Sequence, residues 1–224
     1  MSNATAKIID TGLKKRERAY EQFSDMLLNL QIKPGQFLTQ RELVKITDMP
    51  LGAIRELIPR LEADGLIKTI PQRGLQVTYI DMNLIRNAYE LRQVLETRAA
   101  SQFARNATKT QIAELRNTHE DILEQASNKI SDALVAHAQQ TDFQFHETII
   151  DALDNELISN IYRVNSIKVR LIKASRSRLG PNDVKRVINE HLLVIEAMEQ
   201  RDEEGAAKAI RDHILGAKAR AFAD

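Results

Sequence analysis

The residues of this chain best placed to do chemistry are polar ones on helical stripes that should be buried, because burying such groups is costly unless something compensates them. A helical reading of residues 130–153 aligns Val135, Ala138, Asp142, Phe145 with His146, Ile149 and Leu153, so a carboxylate and an imidazole stand one turn apart on the apolar face. Residues 182–200 align Val184, Ile188, His191, Ile195 and Met198, and residues 203–221 align Ala206, Ile210, His213 and Ala217. Singly, such a histidine is ordinarily a core residue with a hydrogen-bonded ring. His119, on the stripe Ile112, Leu115, Ile122, is read as structural in that way, and His137 is expected to be exposed. Asp142, His146, His191 and His213 together point to a divalent metal site rather than to coincidence. Three nitrogens and one oxygen suit Zn, Ni, Mn or Fe, and the donor set does not choose among them.

Motifs that would direct a metal toward catalysis are missing. His146-Glu147 is followed by Ile150 where a zincin needs its second histidine, and no Glu-x-x-His occurs for a di-iron bundle. There is no Walker A sequence, no dinucleotide-binding glycine fingerprint and no Gly-x-Ser-x-Gly. The 224 residues include no cysteine, which excludes disulfides, thiolate ligands and a cysteine nucleophile. No apolar run has membrane length and no signal peptide is evident, so a cytoplasmic protein is expected. A mononuclear metal enzyme stands as the alternative reading.

The elements that must position these residues fall into two textures. Residues 1–12 read as a flexible tail and 13–80 as one domain. Within it, a helix over 13–30 precedes the loop Lys33-Pro34-Gly35, and Thr39 with Glu42 forms a capping box for a short helix through about Ile46. A third helix starts near Pro50 and ends at Asp64-Gly65. Two β-like runs, Leu66–Ile70 and Leu75–Ile80, are joined by Pro71-Gln72-Arg73-Gly74. Three helices followed by a hairpin is the order of a winged helix-turn-helix. Residues 1–78 carry 12 Lys/Arg against 9 Asp/Glu, a mild basic excess that suits a polyanion, whereas 79–224 carry 20 against 22. Residues 81–224 predict helices over 82–106, 109–127, 130–153, 155–178, 182–200 and 203–221, an antiparallel all-α bundle. The fold class is therefore mainly α, and no internal repeat is visible.

Both halves resemble the GntR superfamily of bacterial regulators, in its FadR subfamily with an FCD effector domain. The N-terminal likeness rests on Lys33-Pro34-Gly35, Arg41-Glu42-Leu43, Ile54-Arg55-Glu56-Leu57, Arg60 to Leu66 and Pro71-Gln72-Arg73-Gly74. The C-terminal likeness rests on Tyr89-Glu90-Leu91-Arg92 with Leu95-Glu96, Asp142-x-x-Phe145-His146, Asn155, Glu190-His191, Arg201-Asp202 and Asp212-His213. The resemblance implies a homodimer on pseudo-palindromic double-stranded operator DNA. It also implies a divalent metal on Asp142, His146, His191 and His213, and a small carboxylate effector. A repressor is the expected sign, and six effector helices suggest the VanR-like branch. DNA contacts are expected from Arg41, Leu51, Gly52, Arg55, Gln72, Arg73 and Gly74. Arg92 and Asn165 are expected in the effector cavity, Arg92 having the alternative of a surface pair with Glu96 beside the stripe Leu84, Ala88, Leu91, Leu95. Two departures bear on DNA recognition. Pro50-Leu51 stands where the family commonly has Ser-Arg, and Pro59 falls inside the third helix, where a bend or early end is expected.

Overall fold

The computed structural model describes residues 17–223. The expected tail 1–12 and the start of the first helix lie outside them. The described chain divides into two compact units with the boundary between Leu84 and Ile85.

In the first unit, α1 (residues 17–28) ends at the positive-φ residue Leu30. It is followed by β1 (Phe37–Leu38), α2 (Gln40–Thr47), α3 (Leu51–Ala63), β2 (Ile67–Ile70) and β3 (Gly74–Val77). The capping box is present: Glu42 N donates to Thr39 Oγ1 at 3.1 Å, and Thr39 N to Glu42 Oε2 at 2.7 Å. α3 runs to Ala63, the end expected from Asp64-Gly65, and does not stop early at Pro59. Pro59 and Arg55, whose carbonyl loses its partner to the proline, are both exposed, so water can satisfy that oxygen. The opposite face buries Ile54, Leu57, Ile58 and Leu61. Gly65, at φ +66°, then turns the chain, and Leu66 N bonds back to Leu61 O at 2.8 Å. The sheet has the order β1-β3-β2 and is antiparallel throughout. Its edge strand β1 was not foreseen, because two residues are too few to show a period.

The second unit is helical: α4 (Met82–Asn106), α5 (Lys109–Asn128), α6 (Asp132–Asp151), α7 (Glu156–Arg176), α8 (Pro181–Glu199) and α9 (Glu203–Ala223). Each lies within two residues of its expected ends. Side chains at the breaks explain the boundaries. Thr108 and Gln111 form a capping box on α5, Asn155 Oδ1 accepts from Leu157 N and Ile158 N at the start of α7, and Asp202 Oδ1 accepts from Gly205 N at the start of α9. Arg201 donates through Nη1 to Ala104 O at 2.9 Å and Ala107 O at 2.7 Å, which ties the α8–α9 turn to the end of α4. An apolar cluster of Ile122, Ala126, Leu134, Ala138, Val184 and Ile188 locks α5, α6 and α8 together. That packing fixes the rotation of the helices that carry Asp142, His146 and His191.

The buried face of α4 corrects the sequence reading. It runs Ile85, Ala88, Tyr89, Arg92, Glu96, Ala99, Ala100 and Phe103, while Leu84, Leu91 and Leu95 are only partly covered. Arg92 and Glu96 are therefore a core ion pair, with side chains 2% and 0% exposed, and not a surface pair.

Candidate metal centre

Three helices deliver four buried polar side chains to one point. α6 supplies Asp142 and His146, α8 supplies His191 and α9 supplies His213, and one donor atom from each lies within 4.8 Å of every other. Asp142 Oδ1 is 3.9 Å from His146 Nε2 and 3.6 Å from His191 Nε2, and His191 Nε2 is 3.4 Å from His213 Nε2. Phe145, between Asp142 and His146 in sequence, stacks on His191 at 4.3 Å between centroids and closes one side.

The outer nitrogen of each ring is held by a neighbour, which sets the tautomers. His119 Nδ1 lies 2.7 Å from Leu115 O; a carbonyl only accepts, so that nitrogen donates and His119 Nε2 is left as an acceptor. His191 Nδ1, 3.1 Å away, must then donate to His119, leaving His191 Nε2 with a free lone pair. His213 Nδ1 donates to Glu190 Oε2 at 2.7 Å, and His146 Nδ1 makes a bent 2.7 Å contact with Glu96 Oε2. Three Nε2 lone pairs and a carboxylate oxygen thus converge with no proton between them. His146 Nε2 and Asp142 Oδ1 are buried with no hydrogen-bond partner. A cation is the species such an array fits: neutral imidazoles and an ionised carboxylate, each ring oriented from behind.

The electrostatics keep the four groups in that state. Burial opposes the charge on Asp142, yet Lys173, with Nζ 2.5 Å from Oδ2, holds its carboxyl well below the usual range. Burial lowers all three histidines. His146 falls to about 4, with the nearby Arg92 guanidinium adding to the effect, and His191 is pushed well down by burial and then by His213 and His146. Glu96 is held at about 2 against its burial by Arg92 and His146. Its Oε1 accepts from Arg92 Nε at 2.6 Å and from Tyr162 OH at 2.8 Å.

Arg92 and Asn165 line a common space with His146 and Tyr162, but its volume is about 10 Å³, room for a single water. Asn165 Nδ2 is committed to Ala88 O at 2.9 Å, and Arg92 Nη1 is buried without a partner. Sequence reasoning missed Glu96, Glu190 and Lys173 as supports of the cluster, and left His119 as a purely structural core residue. Glu96 was legible as the next position, i+4 from Arg92, on the corrected α4 stripe; Glu190 and Lys173 reach the cluster only through tertiary packing. His137 is exposed, as expected.

In the first unit Arg41 is exposed on α2, while Leu51, Gly52 and Arg55 are exposed on the first turns of α3. A Cβ added at Gly52 would meet nothing within 4 Å. Gln72 and Arg73 form the exposed β2–β3 turn, Gln72 at φ +63°, and the Arg73 guanidinium lies 4.2 Å over the Phe37 ring. Gly74, at φ +95°, approaches β1 so closely that a Cβ would stand 2.8 Å from Leu38 O. Arg41 and Arg55 have no carboxylate partner among the described residues.

A winged helix-turn-helix followed by a six-helix bundle defines a class of DNA-binding regulators. Family comparison agrees: residues 15–77 match the bacterial regulatory proteins of the gntR family, and residues 87–216 match the FCD domain. The chain belongs to the GntR family of bacterial regulatory proteins and carries an FCD domain. It is 25% identical over 190 residues to the HTH-type transcriptional repressor RspR of Escherichia coli, covering 84% of this chain and 80% of that one. It is also 25% identical over 217 residues to the Glc operon transcriptional activator of Escherichia coli, covering 88% and 85%. Among solved structures, Escherichia coli McbR/YncC has the same fold, with a TM-score of 0.76 at 16% identity over 93% of this chain and 97% of that one. The two sequence relatives are transcription regulators, and the alternative of a metal-dependent enzyme is set aside. No helix among the described residues is long and apolar enough to cross a membrane.

Proposed function

We propose that the chain is a cytoplasmic, metabolite-responsive repressor that binds a pseudo-palindromic operator as a homodimer. Residues 13–80 act as the DNA-binding domain and 81–224 as the effector-binding and dimerisation domain. Arg41, Arg55 and Arg73 are the charged contacts to DNA, with Leu51, Gly52, Gln72 and Gly74 shaping the α3 and wing surfaces. The exposure of the three arginines, and their lack of a carboxylate partner among the described residues, support that reading. Leu51, 39% exposed where an arginine is usual, offers a thymine methyl an apolar contact in place of a hydrogen bond to a base.

Asp142, His146, His191 and His213 hold one divalent ion, drawn from Zn, Ni, Mn or Fe. The observation that carries this is the convergence of three imidazole lone pairs and the unpartnered Asp142 Oδ1 in a buried, donor-free space. When bound, the ion supplies a Lewis-acidic position to a ligand oxygen. The chain's own groups do the rest. Glu96, Glu190 and His119 orient the rings, Phe145 excludes water, and the four side chains cross-link α6, α8 and α9. A small carboxylate effector binds beside this cluster, and Arg92 and Asn165 reach it only when the one-water space between them opens. Such an effector shifts DNA binding by its differential affinity for two arrangements of the protein.

Elemental analysis of purified full-length protein, as isolated and after incubation with Mn, Ni or Zn, tests the metal. One ion per chain in the wild type and its loss in His213→Ala are expected. A wild type that retains none of these ions overturns the assignment. An operator fragment from the chain's own genomic neighbourhood, retarded in a gel and released by an effector, tests regulation; retention by effector marks an activator.

A further inference from the structure

A cavity of about 300 Å³ lies within the second unit, with Asp142 and His213 on its lining. Its other charged groups are Lys173 on α7, Arg178 in the α7–α8 turn, Asp183 and Arg186 on α8, and Arg220 on α9. Four cations against two carboxylates leave a surplus of two positive charges, in a volume at the lower end of small-molecule sites. Both carboxylates already have internal partners: Asp142 accepts from Lys173 at 2.5 Å, and Asp183 accepts from Arg186 at 2.6 Å. Arg186 also donates to Glu190 at 3.1 Å. Arg220 stands 3.7 Å from the same Glu190, whose Oε2 is already the acceptor for His213. Arg178 is exposed and has no carboxylate partner among the described residues. The guanidinium of Arg220 lies against Gly216, where a Cβ would come within 3.2 Å of Nη1. Burial and the neighbouring Arg186 hold Arg220 below its usual value, a cost that an anion in the cavity would relieve.

We propose that this cavity binds a small metabolite with two anionic groups, one turned toward Asp142, His213 and Lys173 and the other held by Arg178 and Arg220. Arg178 and Arg220 are then the specificity-determining residues. The forked guanidinium donors suit a carboxylate or a phosphate at that end. The proposal rests on the effector reading above and adds the second charge to it. It also links the two ends of the cavity. Arg186 and Arg220 flank Glu190, and Glu190 orients the His213 ring, so an anion drawn to the arginines acts one hydrogen bond away from the cluster. Ligand and metal should accordingly raise each other's affinity by the same factor.

The test is calorimetric titration, at low salt, of the full chain carrying whichever of Mn, Ni or Zn it retains. The probes are succinate, 3-phosphoglycerate and, as the singly charged partner of succinate, butyrate. At least one of the two probes with two anionic groups should bind tenfold or more tighter than butyrate, and the better of them tells carboxylate from phosphate at the arginine end. Arg220→Met and Arg178→Ala should each erase most of that preference while metal content and helical signal stay at wild-type level. Arg178 is exposed in a turn, so its variant keeps the test sound should Arg220→Met fold poorly. Equal binding of butyrate, succinate and 3-phosphoglycerate overturns the two-anion proposal and leaves the carboxylate effector reading standing. Binding of butyrate but of neither succinate nor 3-phosphoglycerate has the same meaning, and a loaded protein that binds none of the three overturns both.

Discussion

Each cluster histidine is only as good a donor as the group behind it. Glu190 fixes the ring of His213 at 2.7 Å while remaining outside the donor set itself. Glu190→Gln should keep a hydrogen-bond acceptor in place but remove its charge. Outer partners of metal-bound imidazoles are typically worth about 10–100-fold in affinity. A chelator competition assay should therefore show weaker metal retention, with an unchanged helical spectrum; unchanged retention would mean that Glu190 serves only to seat α9. The same burial that keeps these rings neutral makes the metal-free protein acid-sensitive. His146 sits at about 4 in the folded state against 6.5 for an ordinary histidine. Between those values the unfolded chain binds a proton that the folded chain does not, so stability falls as the pH is lowered through the window. One such group contributes a slope of at most about 1.4 kcal/mol per pH unit. Denaturant melts of chelated protein between pH 7 and 4 should show that loss, and His146→Gln should reduce the slope.

At the scale of the element, α3 carries both a weakness and the proposed reading surface. Pro59 removes one helical hydrogen bond at an exposed position. Pro59→Ala should stabilise the first unit by about 1–2 kcal/mol, less than the full helix-interior penalty because proline also restricts the unfolded chain. A higher melting temperature for this variant is the expected result; a lower one would mean that the proline sets the α3 geometry. Arg55, exposed one turn in from the helix start, should reach a base or phosphate. Arg55→Ala is expected to weaken operator binding by about 1–3 kcal/mol if it reads a base, with selectivity relaxed. An unchanged gel-shift affinity for a folded Arg55→Ala dimer would remove Arg55 from the interface.

For the whole molecule, the proposed two-fold dimer binds two half-sites, each taking one α3 in a major groove. Sedimentation at micromolar concentration should give twice the chain mass, alone and with operator; a monomer in both conditions contradicts it. An ion that joins α6, α8 and α9 in the folded state alone should raise the melting temperature. The gain is about 2.7 kcal/mol at a free metal concentration of a hundred times the Kd. His191→Ala should abolish that gain, and calorimetric scans with and without metal check it.

The class of the fold was determined by local rules. Thr39 with Glu42, Asn155 and Asp202 mark helix starts, glycine ends α3, and the 3.6-residue period sets Asp142, His146, His191 and His213 on buried faces. A helical period says which residues of one helix share a face, and those four were legible for that reason. It does not say which face of another helix they meet. The long apolar side chains of Leu91 and Leu95 drew the α4 stripe one position out of phase, hiding Glu96, because phase is decided by what packs against the helix. Only tertiary structure could bring Glu190 of α8 under His213 of α9, His119 of α5 behind His191, and Lys173 of α7 onto Asp142. The cavity that unites Lys173, Arg178, Arg186 and Arg220 has the same origin. Those charges are spread over three helices and a turn at spacings with no common period, and they become one surface only when the apolar core sets the helices side by side.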